Sequence, residues 1–222
     1  MQMEWLKILK DEMYEITRAG AFELFPPIGT YGEPYHNHRF EHVKPVEKEA
    51  LKLLAFYSEA DKEVVLAAVW IHDRCKPQFK GPDHHNRAAD WAAQNLGDTG
   101  FPKEKVAAVE YAVRNHAGWT KKPLDTLESK IVWDSDKLAH IGPNYLFQTF
   151  FIFTCEKIVN NETQFEIKFN PTISLDIVMP ALARMHSDFD YEKPFHLDET
   201  WQIYKEKQMA VNALIEALQN DL

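Results

Sequence analysis

Cysteine is nearly absent from this 222-residue chain. Cys75 and Cys155 lie far apart and form no CxxC pair, which excludes a disulfide framework and a thiolate zinc site and fits a reducing compartment. Long apolar runs are missing too. The densest, YLFQTFFIF, is too short to span a bilayer as a helix. The opening MQMEWLKILKDEM mixes charges among its apolar residues, so it does not read as a secretory signal. A cationic surplus is also lacking: 25 Lys and Arg stand against 34 Asp and Glu, a formal net charge of −9. An acidic chain is a poor ligand for nucleic-acid polymers and anionic membranes. These absences predict a soluble cytoplasmic protein. No fixed-period repeat and no linker appears, so residues 1–222 are expected to form one domain. The chain is 45% hydrophobic and 27% charged, an ordinary globular balance.

Prolines and glycines cluster between periodic segments. EWLKILKDEMYEITRAG places Trp5, Ile8, Leu9, Met13 and Ile16 on one helical stripe and closes on Gly20. PVEKEALKLLAFYS reads as a helix with Pro45 in its first turn. DKEVVLAAVWIHD reads as a buried helix with Asp61 as its N-cap. DHHNRAADWAAQNLG ends at Gly97, PKEKVAAVEYAVRNHAG opens on Pro102, and LDTLESKIVWDSDKLAHIG has Thr126 as its cap. A long amphipathic helix, with Trp201, Tyr204, Val211, Leu214, Ile215 and Leu218 at helical spacing, closes the chain. TQFEIKF is the only strand-like stretch. The expectation is an all-α, compact multi-helix bundle of eight to ten helices.

Histidines and aspartates mark these helices in order. His42 lies at the start of one, His72-Asp73 ends the next, His84-His85 opens a third and His116 ends a fourth; Asp134 and Asp136 lie within a fifth. Singly, each has a plainer reading: a polar pair capping a helix end, a solvated helix start, a charge partner for terminal carbonyls, or carboxylates on an exposed face. Together, in one order and one per element, they point to a shared site. Imidazoles and carboxylates without thiolate suit Mn, Fe, Co, Ni or Zn, and carboxylates admit Mg. An ion there polarises a phosphoryl oxygen and lowers the pKa of bound water.

The ordered set RFEHVKPV, LAAVWIHD, HHNRAADWAAQNL, AVRNHAG and TLESKIVWDSDKLAHIG resembles the HD superfamily of metal-dependent phosphohydrolases over roughly residues 36–150. The resemblance implies His42, His72, Asp73 and Asp136 as metal ligands. Asp136 is preferred because Asp136-Lys137-Leu138 matches the family's Asp-x-Leu ending, with Asp134 as the alternative. A second ion would add His84 or His85 and His116, with Asp73 bridging. The implied activity is hydrolysis of a phosphomonoester or phosphodiester, a nucleotide being the common choice, by a metal-activated water. Asp73, His84 and His116 would be catalytic, either histidine protonating the leaving group if one ion binds. Arg39, Arg74 and Lys76 are candidate contacts to substrate phosphate. The chain departs from the family at Pro45, at Arg74-Cys75-Lys76 after His-Asp, and at His140, where relatives carry Asp.

Two other readings remain. A six-ligand His/Asp set also resembles the di-iron oxygenases of that superfamily, with Tyr31, Glu33 and Tyr35 as gating candidates. A non-catalytic helical protein could bind metal or ligand for stability or signalling. Self-association is left open.

Overall fold

The structure, a computed structural model, describes residues 3–24, 38–76, 83–147 and 195–220. Among these residues it has α1 (Glu4–Leu24), α2 (His38–Phe56), α3 (Lys62–Ile71), α4 (His84–Asn95), α5 (Val106–Asn115), α6 (Leu127–Ala139) and α7 (Asp198–Asn220), with two short 3-10 turns and no strand. The all-α expectation holds. The strand-like stretch at 163–169, and Tyr31, Glu33 and Tyr35, lie outside the described residues.

The core is built around α3. Every residue from Val64 to Ile71 is buried, because α1, α2, α5 and α6 pack around it. A helix surrounded on all sides needs no polar face, which is why this segment reads as a continuous apolar run. Asp61 caps it as expected, its carboxylate accepting from the Glu63 and Val64 amides at 3.0 and 3.3 Å. Thr126 caps α6 in the same way, accepting from Ser129 at 3.1 Å.

Three boundaries differ from expectation. α1 runs through Gly20 to Leu24. Its buried stripe is Trp5, Leu9, Met13, Thr17 and Ala21, so burial beyond Gly20 outweighs the ~1 kcal/mol that glycine costs a helix. α2 begins at His38, which places Pro45 in its interior and not in its first turn. Pro45 lacks the N–H for the Glu41 carbonyl, a penalty near 3 kcal/mol. Val43, Val46, Ala50 and Leu53 are all fully buried on the same helix, and fully burying a valine or leucine gains about 1.5–3 kcal/mol. α4 stops at Asn95 and tightens into a 3-10 turn, and the left-handed residue is Gly100, not Gly97.

From Ile131 to Ala139, α6 is buried throughout, although Asp134, Ser135, Asp136 and Lys137 are polar. Such a run survives only if each group is partnered. Ser135 Oγ donates to the Ile131 carbonyl at 2.6 Å. The other three anchor α7 or face the candidate site. α7 lies against the end of α6, where Lys207 Nζ donates to the Leu138 and Ile141 carbonyls at 2.7 and 3.2 Å and pairs with buried Glu49 at 2.9 Å.

Candidate metal centre

The helix ends expected to carry ligands converge. His72 is the C-cap of α3, and its backbone N–H still bonds Ala68 at 2.9 Å, so the helical turn delivers His72 and Asp73 rigidly to one point. His116 caps α5, His84 opens α4, His42 sits in the second turn of α2, and Asp136 lies in the buried half of α6. His42, His72 and Asp136 each present one ligand atom within 4.8 Å of the others, and so do His72, Asp73 and His116.

The orientation of each ring follows from a local hydrogen bond. His72 Nδ1–H donates to the Val69 carbonyl at 2.7 Å, and His116 Nδ1–H donates to the Val113 carbonyl at 2.6 Å. Each bond selects the tautomer whose Nε2 carries a lone pair. The Nε2 atoms of His72, His84 and His116 stand 3.7, 3.6 and 3.6 Å from Asp73 Oδ1. These separations exceed a hydrogen bond. They lie just beyond the spacing of neighbouring ligands on one ion, since metal–ligand bonds near 2.1 Å put adjacent donors about 3–3.5 Å apart. His72 Nε2, His84 Nε2 and Asp73 Oδ1 are buried and have no hydrogen-bond partner. Orphaned lone pairs in a protein core carry a cost, and a divalent ion removes it. The donor set fits a first-row divalent metal.

Burial pushes the His72 imidazole down to about 3 and the partly buried His84 down to about 4. Both are therefore neutral at physiological pH. Burial works against charge on Asp73, but the adjacent His72 and, more directly, the Lys76 ammonium at 2.7 Å from Oδ2 hold its carboxyl well below the usual range. Burial likewise opposes charge on Asp136. Lys137, 2.5 Å from Oδ2, and His42, 3.1 Å from Oδ1, hold it well below the usual range.

Asp134 and Asp136 separate clearly. Asp134 accepts from the His196 and Leu197 amides and from the Thr200 hydroxyl at the start of α7. Burial pushes its carboxyl up to about 7 even against these donors. Its oxygens are committed away from the cluster. Of the paired histidines, His84 approaches Asp73; His85 packs beside His84 and His116, with ring centroids 5.5 and 6.3 Å away.

The basic candidates part company as well. Lys76 is on the site. Arg74, expected at the substrate, instead donates to Glu12 at 2.9 Å and lies 3.6 Å over the Trp91 ring. Its guanidinium ties α1 to α4. Arg39 belongs to α2, but its side chain lies outside the described residues. Sequence reasoning missed Lys137 as a site residue, although it follows Asp136 directly. It noted His140 only as a departure. His140 Nδ1 bonds the Asp136 carbonyl at 2.7 Å, and its ring packs 4.4 Å from His42 and 5.2 Å from Trp119.

Solved structures share the overall fold of this chain. An HD-superfamily hydrolase from Bacillus thuringiensis superposes with a TM-score of 0.60 at 15% identity, covering 98% of this chain and 97% of that one. The chain has the HD-domain fold. A predicted HD-superfamily hydrolase from an uncultured Thermotogales bacterium gives a TM-score of 0.55 at 21% identity, over 93% and 91% of the two chains. Bacillus subtilis YpgQ, solved in complex with ADP, gives 0.61 at 18%, over 99% and 97%. At these identities it is the HD fold that is shared. No family model and no curated protein matches the sequence. Within the HD fold, His72-Asp73 is the dipeptide at the centre of the buried cluster. No helix among the described residues is long and apolar enough to cross a membrane.

Proposed function

We propose that this chain is a metal-dependent phosphohydrolase of the HD superfamily acting on a small phosphorylated substrate, a nucleotide being the favoured class. The observation that carries the reading is the convergence of the Nε2 atoms of His72, His84 and His116 on an unbonded Asp73 Oδ1, beside the His42–Asp136 pair. His42, His72, Asp73 and Asp136 would hold one ion, and His84 and His116 would complete a second position that shares Asp73. When bound, divalent metal supplies Lewis-acid polarisation of a phosphoryl oxygen and a more acidic water. The protein's own contribution is orientation. The Val69 and Val113 carbonyls hold two rings, and Lys76 and Lys137 hold two carboxylates.

Lys76 would meet substrate phosphate, a role supported by its side chain keeping 26% of its exposure while touching Asp73. The ADP complex of YpgQ supports a nucleotide as the substrate class. The deciding experiment measures bound metal in purified protein and then assays phosphomonoesters and nucleotides with Mn, Co or Mg. Metal-dependent hydrolysis that disappears in Asp73→Ala is expected. Iron with O2 consumption and no phosphoester cleavage would overturn the proposal in favour of an oxygenase. Hydrolysis left intact by Asp73→Ala would assign the activity elsewhere.

A further inference from the structure

Lys137 is a lysine with almost no access to water. It is 3% exposed, it follows Asp136 in sequence, and its amine turns back onto that carboxylate at 2.5 Å from Oδ2. The same amine donates to the His116 carbonyl at 3.0 Å. It lies 5.3 Å from the centre of the Trp119 ring and 5.0 Å from that of Trp133. One ammonium thus joins α6, which carries Asp136, to the end of α5, which carries His116. It occupies one oxygen of Asp136 and leaves Oδ1 turned to His42 and His72, at 3.1 and 3.8 Å.

Lys76 makes a similar contact on Asp73, but its side chain keeps 26% of its exposure against 4% for Lys137. Lys76 has room to leave its carboxylate. Lys137 is enclosed by two indoles and two acceptors. A buried ion pair is a weak stabilising device compared with apolar packing, so a lysine kept at this position needs another account. Two buried carboxylates repel each other until a cation joins them. We propose that Lys137 is a resident counter-cation: a positioning residue that keeps the metal-free site folded, leaves Asp136 Oδ1 turned to His42 and His72, and lowers affinity for the ion. The inference rests on the metal-site reading above.

The test is Mn2+ binding by calorimetry, with thermal melting in chelator and in excess Mn2+, on wild type and Lys137→Met. Methionine keeps the apolar stem between Trp119 and Trp133 and removes the charge. Lys137→Met is expected to bind Mn2+ at least about tenfold tighter, because a fixed positive charge beside the ion has gone. It should melt lower than wild type in chelator and gain more from Mn2+. If the variant is unfolded in chelator, recovery by Mn2+ supports the proposal and failure to recover overturns it. Unchanged or weaker binding by a folded variant also overturns it, since a merely structural lysine predicts that result. Wild-type protein that binds no Mn2+ would sink the metal-site reading itself, which is a separate outcome read on a separate protein.

Discussion

Asp134 and Thr200 meet side chain to side chain between α6 and α7, the hydroxyl donating to the carboxylate at 2.8 Å. The His196 and Leu197 amides donate to the same carboxylate at 2.9 and 3.0 Å. One buried acid therefore seats the start of the last helix two residues away from Asp136. Asp134→Ala leaves these donors unpaired, each costing on the order of 1–3 kcal/mol. A stability loss of about 2–4 kcal/mol is expected by urea denaturation. A loss below ~0.5 kcal/mol, the range of an ordinary surface substitution, would show that the seat is unimportant.

Asp73 faces His72, His84 and His116 with one oxygen and Lys76 with the other. Its loss removes the proposed shared ligand. Asp73→Ala is expected to lower metal-dependent hydrolysis by roughly a thousandfold, the several kcal/mol that a bound ion supplies to a phosphoryl-transfer transition state. Steady-state kinetics check this, with metal content measured on the same sample.

Chelation and reloading test the site without mutation. An ion that binds only the folded chain stabilises it by about 2.7 kcal/mol at a hundred times its dissociation constant. Melting should shift upward with Mn2+ and return in chelator, and Asp136→Ala should reduce the shift. An equal shift in wild type and Asp136→Ala would place the ion elsewhere.

Lys76 and Arg74 stand two residues apart and are expected to behave differently. Lys76→Ala should raise KM about tenfold, the worth of one charge-assisted hydrogen bond to phosphate. Arg74→Ala should leave KM within about twofold and cost roughly 1 kcal/mol of stability, because its partners are Glu12 and Trp91. The opposite pattern would move the phosphate contact to Arg74.

Asp61 gives a pH dependence away from the site. Burial opposes its charge, but Lys105 at 2.7 Å and the Val64 and Glu63 amides hold its carboxyl below the usual value. A depressed carboxyl contributes stability above its unfolded pKa, near 3.9, and that contribution is lost as pH falls through the folded value. Asp61→Ala should cost about 1 kcal/mol at pH 7 through the lost cap. The gap between variant and wild type should close as pH falls below about 4. Denaturation at several pH values reads it directly, and a gap that persists in acid would refute the ionic part.

Much of this was legible in sequence because it is local. The apolar run into His72-Asp73 identified the central helix, and Asp61 and Thr126 cap the helices they were expected to cap. Pro45 misled because proline is read as a helix start, while burial of Val43, Val46, Ala50 and Leu53 carried α2 through it. Arg74, a cation next to His-Asp, reads as a substrate contact, while its partners in the structure are Glu12 and Trp91. A side chain beyond a helix end takes whichever neighbour lies nearest, and here that neighbour is Trp91.

Residue type, order and helical period by themselves pointed to the all-α architecture and to His42, His72, Asp73, His84 or His85, His116, and Asp134 or Asp136 as one candidate set. These are properties of the chain alone. Tertiary structure decided which atom faces which. Asp134 and Asp136 are two residues apart, about 200° around a helix, so they face opposite sides. Which side held α7 and which held His42 depended on packing between helices distant in sequence. The same packing turned Lys137 inward onto Asp136 and the His116 carbonyl, a placement that no local pattern encodes because both acceptors are brought to it only by the assembled bundle.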